Sequence, residues 1–299
     1  MSLSILLPSY NYSAYPLAKE LSAMAEQLDS ACEIIVMDDA STDAGCREEN
    51  NAINLLPHCR SIMLDKNVGR ARIRNLLAES ANGKWLLFLD CDAKVISDTF
   101  LYDYVKASEN APVVCGGLIH PESLPSPDVC LRYKYEKAAD KHRSANERNK
   151  HPYGKFTTFS FLIRRDLFLQ IKFNEQCREY GYEDTLFGEK LKERNIPILH
   201  IDNPLMHTGL EDNKTFLKKT EVAIKTLIRL QNNGEYFDSR LIKQYSRLKR
   251  LGLAPVIRFF FHLFSPLIHH NLLGKSPNLI LFALYKMGYY SVELKKGRV

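Results

Sequence analysis

KWLLFLDCD, residues 84–92, decides the fold class of this 299-residue chain: five apolar residues, Trp85 to Leu89, run into two aspartates separated by Cys91. A short uninterrupted apolar run with polar ends fits a strand buried on both faces. The same pattern recurs in LSILLP (3–8), EIIVMDD (33–39), SIMLD (61–65) and PVVCGG (112–117). Helix-like stretches near 14–28, 43–56, 69–81 and 98–108 alternate with these runs. Buried strands between helices predict a mostly parallel sheet and a Rossmann-like α/β half over residues 1–120. Ligands of such sheets bind beyond the carboxyl ends of the strands. The residues found there are polar: Pro8-Ser9-Tyr10-Asn11, Asp38 to Asp43, Lys66 to Arg70, and Asp90-Cys91-Asp92.

Further along, 121–155 is rich in Pro, Lys, Arg and His with weak periodicity, and reads as a long excursion able to order over a substrate. FTTFSFLIRR (156–165) reads as a strand, 181–195 as a helix carrying Glu183 and Asp184 in its first turn, IPILHID (196–202) as a strand and 211–231 as an amphipathic helix. The stretch QNNGEYF (231–237) suits a boundary, giving one domain over 1–232, with halves 1–120 and 121–232, and a basic, aromatic-rich helical extension over 233–299. Within that extension the last helix is expected to open at Ser276-Pro277, with Ser276 as its cap. No run reaches the roughly 18 to 20 apolar residues of a spanning helix. Two readings of 240–299 follow: a helix pair lying on an anionic membrane surface, or a lobe packed on the first domain.

Composition agrees with a globular chain, at 45% hydrophobic and 25% charged residues. The N-terminus lacks a basic stretch followed by a long apolar one, so no signal peptide is read. Seven cysteines, at 32, 46, 59, 91, 115, 130 and 177, are odd in number and never spaced C-x-x-C. They favour a reducing cytoplasm over a disulfide framework. The formal charge of +6 hides a gradient: residues 1–130 carry 10 Lys+Arg against 18 Asp+Glu, and the remainder 31 against 17. An acidic first half suits carboxylates around a metal, and a basic second half suits an anionic partner. No motif supports nucleic acid.

Two decoys fall away. GKS at 274–276 resembles the end of a phosphate-binding loop, but the glycine needed at 269 is a histidine. No G-x-G-x-x-G follows a strand, which argues against a nicotinamide dehydrogenase. Asp90 and Asp92, two apart in an extended segment, point the same way and could face one hard cation or a ribose, with Cys91 toward the core. The helix opened by Gly69, Arg70, Arg72 and Arg74 offers an N-terminus and guanidinium groups to phosphate or ribose oxygens. Asp184 in the first turn of its helix is expected to be ionised at pH 7.

The ordered set SILLPSYNY (4–12), EIIVMDDASTD (33–43), NVGRARIRNLLAESANGKWLLFLDCDA (67–93) and GYEDTLFGEKL (181–191) resembles the inverting family 2 glycosyltransferases of GT-A fold, over about residues 2–210. That resemblance implies a GT-A nucleotide-sugar-binding domain at 1–232 and roles for particular residues. Pro8 and Tyr10 would lie at the nucleotide, Tyr10 against the base, with Asp38 or Asp39 accepting the ring N–H. Arg74, of the pair Arg74-Asn75, and Asp90 would meet the nucleotide, Asp90 leaning to the ribose or a metal-bound water. Arg70 and Arg72 read as surface charges. Asp92 and His207 would hold Mn2+ or Mg2+, Asp184 would be the base and Glu183 would orient the acceptor. His200 reads as core. At Ser160 many relatives carry Asn, often near the donor sugar or acceptor, so the donor cannot be borrowed from them.

The expected function is metal-dependent transfer of a sugar from a nucleotide-sugar donor, a UDP-sugar first, to a saccharide or lipid-linked acceptor, as in bacterial-type polysaccharide assembly. The expected location is cytoplasmic, peripheral at the inner face of the membrane. The rivals are a nucleotidyltransferase that makes nucleotide sugars and a non-catalytic membrane-surface protein with a transferase-like domain. Pro8-Ser9-Tyr10-Asn11 is not the Gly-rich loop the former needs after its first strand.

Overall fold

The computed structural model describes residues 2–28, 30–177, 180–235 and 239–297. They fall into two compact units: residues 1–120, 140–178 and 183–209 form the first, and 121–139, 179–182 and 210–299 the second.

In the first unit β1 (Ser2–Ser9), α1 (Tyr15–Ala25), β2 (Ala31–Asp38), α2 (Ala44–Ala52), β3 (Cys59–Met63), α3 (Arg70–Ser80) and β4 (Trp85–Leu89) follow the strand and helix alternation read from the sequence. Next come β5 (Ala93–Lys94), α4 (Phe100–Ala107), β6 (Val113–Cys115) and β7 (Leu118–Ile119). Among the described residues the main sheet has seven strands. From one edge these are β3, β2, β1, β4, then a strand at Ser160–Arg164, β6, and a strand at Ile198–His200. β3, β2, β1 and β4 are mutually parallel, whereas the Ser160–Arg164 strand runs antiparallel to both β4 and β6. The sheet is therefore mixed and mostly parallel.

Why the runs are apolar without interruption is visible in the packing. Ile5, Leu7, Ile34, Val36, Leu87 and Leu89 join α1 and α4 residues in one core. Alternate strand positions serve the opposite face, where Phe88 stacks on Phe161 at 4.8 Å and lies 4.9 Å from Phe168.

The stretch 121–155, expected as an irregular excursion, is folded. It holds α5 (Cys130–Asp140), α6 (Ala145–Asn149) and short 3-10 turns. Within the second unit the side chain of Asn213 accepts the Leu131 N–H at 2.8 Å and holds the start of α5. Within the first, Arg148 of α6 is buried and donates to the carbonyls of Cys115, Gly116 and Ile201 at 3.1, 3.1 and 2.7 Å. Both anchors are distant in sequence, so local periodicity could not show them. The first unit is completed by β8 (Ser160–Arg164), α7 (Arg165–Ile171), α8 (Glu183–Glu193), β9 (Ile198–His200) and β10 (Leu205–His207). His200 is core, as read: it accepts from Arg148 at Nδ1 and donates to the Pro152 carbonyl at Nε2, and burial pushes its pKa down to about 4.

The second unit gathers the 130–139 part of α5 with α9 (Asn213–Asn232), α10 (Arg240–Arg250), α11 (Ala254–Leu273) and α12 (Leu279–Lys296). Leu131, Phe216, Leu217, Leu272, Phe282 and Tyr285 form its core. Helix α9 thus belongs with the C-terminal helices, where the sequence suggested a boundary after residue 232. Tyr236 and Phe237 of the expected boundary stretch lie outside the described residues. Helix α12 opens later than read: Asn278, not Ser276, is its cap, accepting the N–H groups of Ile280 and Leu281 at 2.8 and 3.3 Å. No single described helix is long and apolar enough to cross a membrane, and α10 with α11 passes that test only as a pair bent by 114°.

Candidate active site

The loops after β1 and β2 are tied into one floor. The Asn11 side-chain carbonyl accepts the Thr42 and Asp43 N–H groups at 2.7 and 3.0 Å, and Asn11 N–H donates to Ser41 Oγ at 2.7 Å. Asn11 sits at φ 49°, a left-handed conformation that asparagine tolerates well. Beneath it, fully buried Asn50 of α2 accepts the Ala14 N–H and donates to Tyr12 O, Ser9 Oγ and Asp38 Oδ2. Asp38 also accepts the Ser41 N–H at 2.6 Å and is fully buried, which makes it a brace for the loop. Sequence reading missed Asn50, whose only signal was a run of polar residues in a helix that had to bury one face. Asn50→Ala should lower unfolding stability by about 1–3 kcal/mol, because buried donors and acceptors lose their partner. Denaturant unfolding measures this, and an unchanged midpoint would contradict the brace.

Tyr10, at 49% exposure, stands free at the end of β1, and Pro8 is half-buried in the strand before it. Asp39 holds the next loop: its carboxylate accepts the Val68 and Gly69 N–H groups at 2.7 and 3.0 Å. Burial raises its pKa, and neighbouring Asp38 adds to this, against the lowering by the two N–H groups. Each Asp39 oxygen keeps one lone pair for a further donor. Gly69 has φ 85°, a conformation that favours glycine, and directs the chain into α3.

Helix α3 connects separate parts of the site. Arg74 is buried and pairs with Asp90 at 2.5 Å. Arg70 is exposed, as read from sequence, and from the surface it pairs with buried Glu183 at 3.3 Å, a partner 113 residues away. Arg72 is likewise at the surface, paired with Glu79 and Glu175. The Asp90/Asp92 pair departs from the shared direction of an extended segment. β4 ends at Leu89, and the turn closed by Ala93 N–H on Asp90 O at 3.3 Å sends the two carboxylates to different partners. Asp90 faces Arg74, whereas Asp92 meets His207, with Nε2 and Oδ2 3.1 Å apart.

The Asp92–His207 meeting is the work of a second, three-stranded sheet ordered β5-β10-β7. Its register sets His207 opposite Ala93, next to Asp92 in the chain. Thr208 fastens the corner, donating from N and Oγ1 to the Asp92 carbonyl at 2.9 and 2.8 Å. Tyr12 lies within hydrogen-bonding reach of Thr208, and burial raises its pKa with a contribution from the Asp92 charge. Burial alone would raise the pKa of Asp92, but the His207 hydrogen bond and the charges of His207 and Arg70 hold it below the usual carboxylate range. Asp92 is therefore an ionised acceptor.

Gly209 is a further residue that sequence reading missed. A Cβ there would stand 2.5 Å from Asp92 Oδ2 and 2.6 Å from Asp92 Cβ. Gly209→Ala should displace the Asp92 carboxylate and reduce turnover by up to about 10²-fold, the scale of an ångström-sized misplacement. Equal rates for variant and parent would show that Asp92 need not stay where it is.

Glu183 and Asp184 open α8, with positive φ at Gly181 (106°) and Tyr182 (71°) just before them. Asp184 accepts the Thr185 N–H at 2.6 Å. Burial, reinforced by the Glu183 charge, pushes its pKa up to about 6. It is ionised at pH 7 as expected, yet burial outweighs the helix N-terminus in setting its affinity for protons. Ser160 lies opposite Leu89 in the sheet, is fully buried and shares a 2.5 Å hydrogen bond with the Tyr104 hydroxyl. Among the described residues no group of three or more His, Cys, Asp or Glu converges in the manner of a metal site.

Residues 4–171, more than half of the chain, match the glycosyl transferase family 2 profile. The chain belongs to that family. The match contains Pro8, Tyr10, Asp38, Asp39, Arg74, Asp90 and Asp92 and ends before Glu183, Asp184 and His207. The family's GT-A-type fold accounts for the mixed, mostly parallel sheet. A Bacillus subtilis (strain 168) glycosyltransferase, TuaG, provisionally assigned by its name to teichuronic acid biosynthesis, is 34% identical over 94 residues, 30% of this chain and 36% of that one. The chain spans about a third of the length of the curated relatives it matches. Two solved structures share the fold at low identity. The mannosyltransferase PcManGT from Pyrobaculum calidifontis, in complex with GDP-Man and Mn2+, has TM-score 0.55 at 13% identity, covering 98% of this chain and 86% of that one. S. aureus TarS 1-349 in complex with UDP-GlcNAc has TM-score 0.50 at 18% identity, covering 100% and 92%.

Proposed function

We propose that the chain transfers a sugar, with inversion, from a nucleotide-diphosphate sugar to a hydroxyl of a saccharide or lipid-linked acceptor. A UDP-sugar is the first donor to test, and polysaccharide assembly is the setting. One observation supports the reading: in the first unit Tyr10 follows β1, Asp39 holds the loop that opens α3, Arg74 and Arg70 of α3 pair with Asp90 and Glu183, and Asp92 meets His207. Family membership adds the nucleotide end, and the relatives that bind UDP-GlcNAc or GDP-Man support a nucleotide-sugar donor.

A divalent cation, Mn2+ or Mg2+, fits at Asp92 and His207. Their facing atoms are 3.1 Å apart, close to the separation of two ligands at right angles and about 2.1 Å from a shared ion. Such ions accept one or two protein ligands and take their remaining partners from substrate phosphates and water. When bound, the ion would stabilise charge on the departing diphosphate.

The protein's own groups supply the rest. The exposed ring of Tyr10 offers a stacking face for the base, and Asp39 an acceptor for a base N–H. Arg74 holds Asp90 in place, and Arg70 holds Glu183. Asp184 takes the proton of the acceptor hydroxyl as its oxygen attacks the anomeric carbon from the face opposite the diphosphate.

The deciding assay incubates the chain with UDP-, GDP- and dTDP-sugars and Mn2+ and identifies the released product. Nucleoside diphosphate release that depends on an acceptor is expected. Pyrophosphate release instead would make it a nucleotidyltransferase, and no release from any donor would favour the non-catalytic reading.

A further inference from the structure

Residues 239–292 contain eight Lys or Arg, three His and no Asp or Glu. Within the second unit this acid-free run forms α10, α11 and most of α12. Helix α11 has two apolar faces. Phe261, Ile268 and Leu272 turn inward to the core formed with Phe216, Phe282 and Tyr285. Val256, Phe259, Phe260, Leu263, Phe264 and Leu267 are exposed, from 41% at Phe264 to 67% at Leu267. Their spacing of three and four residues sets them along one stripe of the helix. At the corner before it Leu251 is 72% exposed, and the last turn of α10 carries exposed Arg247, Lys249 and Arg250.

We infer that this corner docks on the headgroup region of an anionic lipid bilayer. Helix α11 lies in the plane of the interface with its exposed stripe among the upper acyl chains, and the α10 cations lie on the lipid phosphates. A contiguous exposed apolar stripe of this kind marks an interaction surface, and bordering cations with no acid among them select an anionic partner. A second copy of the chain is the poorer occupant, because a two-fold contact would bring two acid-free cationic runs together with no carboxylate between them. No described helix is both long and apolar enough to span by itself, and an apolar stripe confined to the outer face of α11 suits a helix lying on the bilayer. An anionic leaflet and seven free cysteines both suit the cytoplasmic side of a membrane. The inference is independent of the proposed sugar transfer.

Vesicle sedimentation tests it with the full chain, using phosphatidylcholine vesicles with and without phosphatidylserine at low and high salt. Binding should require phosphatidylserine and weaken with salt. The variant R247E/K249E/R250E should lower partitioning by about 100-fold or more, since each cation near the surface contributes several-fold. The variant F259S/L263S/L267S should lower it by about tenfold or more, and should melt like the parent because these side chains are exposed. Equal binding to neutral and anionic vesicles, absence of binding at low salt, or parent-like binding by both variants would overturn the inference. So would a dimer that the serine variant dissolves in a chain that ignores vesicles.

Discussion

Asp184→Asn should leave the chain folded and lower sugar transfer by about 10²–10⁴-fold, the scale of a lost general base. The substitution is close to isosteric, and the Thr185 N–H can still be accepted by the amide oxygen. What disappears is the proton acceptor, and two further readouts separate that loss from a packing defect. In the parent, transfer should rise as pH climbs through about 6, because below that value Asp184 carries its proton and cannot take another. The asparagine variant should lack this limb. Stability should move the other way. The folded pKa lies above the usual aspartate value, so between about pH 4 and 6 the folded state binds more protons than the unfolded chain, and stability falls as pH rises through that window. Above pH 6 the variant, spared a buried charge, should therefore melt higher than the parent. Parent-like transfer by Asp184→Asn would end its assignment as the base.

Asp92→Ala should reduce transfer by about 10²–10³-fold, as removal of a group that steadies leaving-group charge does. The variant loses the carboxylate facing His207, and with it half of the two-residue set that suits a cation. The clearest measurement is a titration of Mn2+ at fixed donor, with calorimetry of donor binding in parallel. The parent should need the ion and the variant should answer to it weakly. Full parent activity in excess chelator would remove the metal from the proposal, and an unaffected Asp92→Ala would remove the residue.

Legibility differed sharply among the site residues. Tyr10, Asp39, Arg74, Asp90 and Asp92 follow apolar strands or open the helix after one, where side-chain period and strand ends can be read locally. Arg70 is exposed as read, but its ion pair was not legible because its partner Glu183 is 113 residues away. From the sequence an arginine in the first turn of an amphipathic helix looks like any solvated charge. The shared direction of Asp90 and Asp92 failed for a related reason. Extended geometry stops at Leu89, and nothing in the letters DCDA marks the turn.

By itself the sequence determined the α/β class, the parallel order of the first strands and the positions of the polar loops at their ends. Continuous apolar runs can be buried only in a sheet covered on both faces. Only the tertiary structure decided which carboxylates meet which cations. β5 and β7 are two residues each, too short to carry a period, yet with β10 they set His207 beside Asp92. KWLLFLDCD ends in a pair to which the sequence reading already gives separate roles, and the tertiary structure adds the contacts, Asp90 with Arg74 and Asp92 with His207. Such pairings depend on contacts between distant segments, and these exist only once the chain has folded.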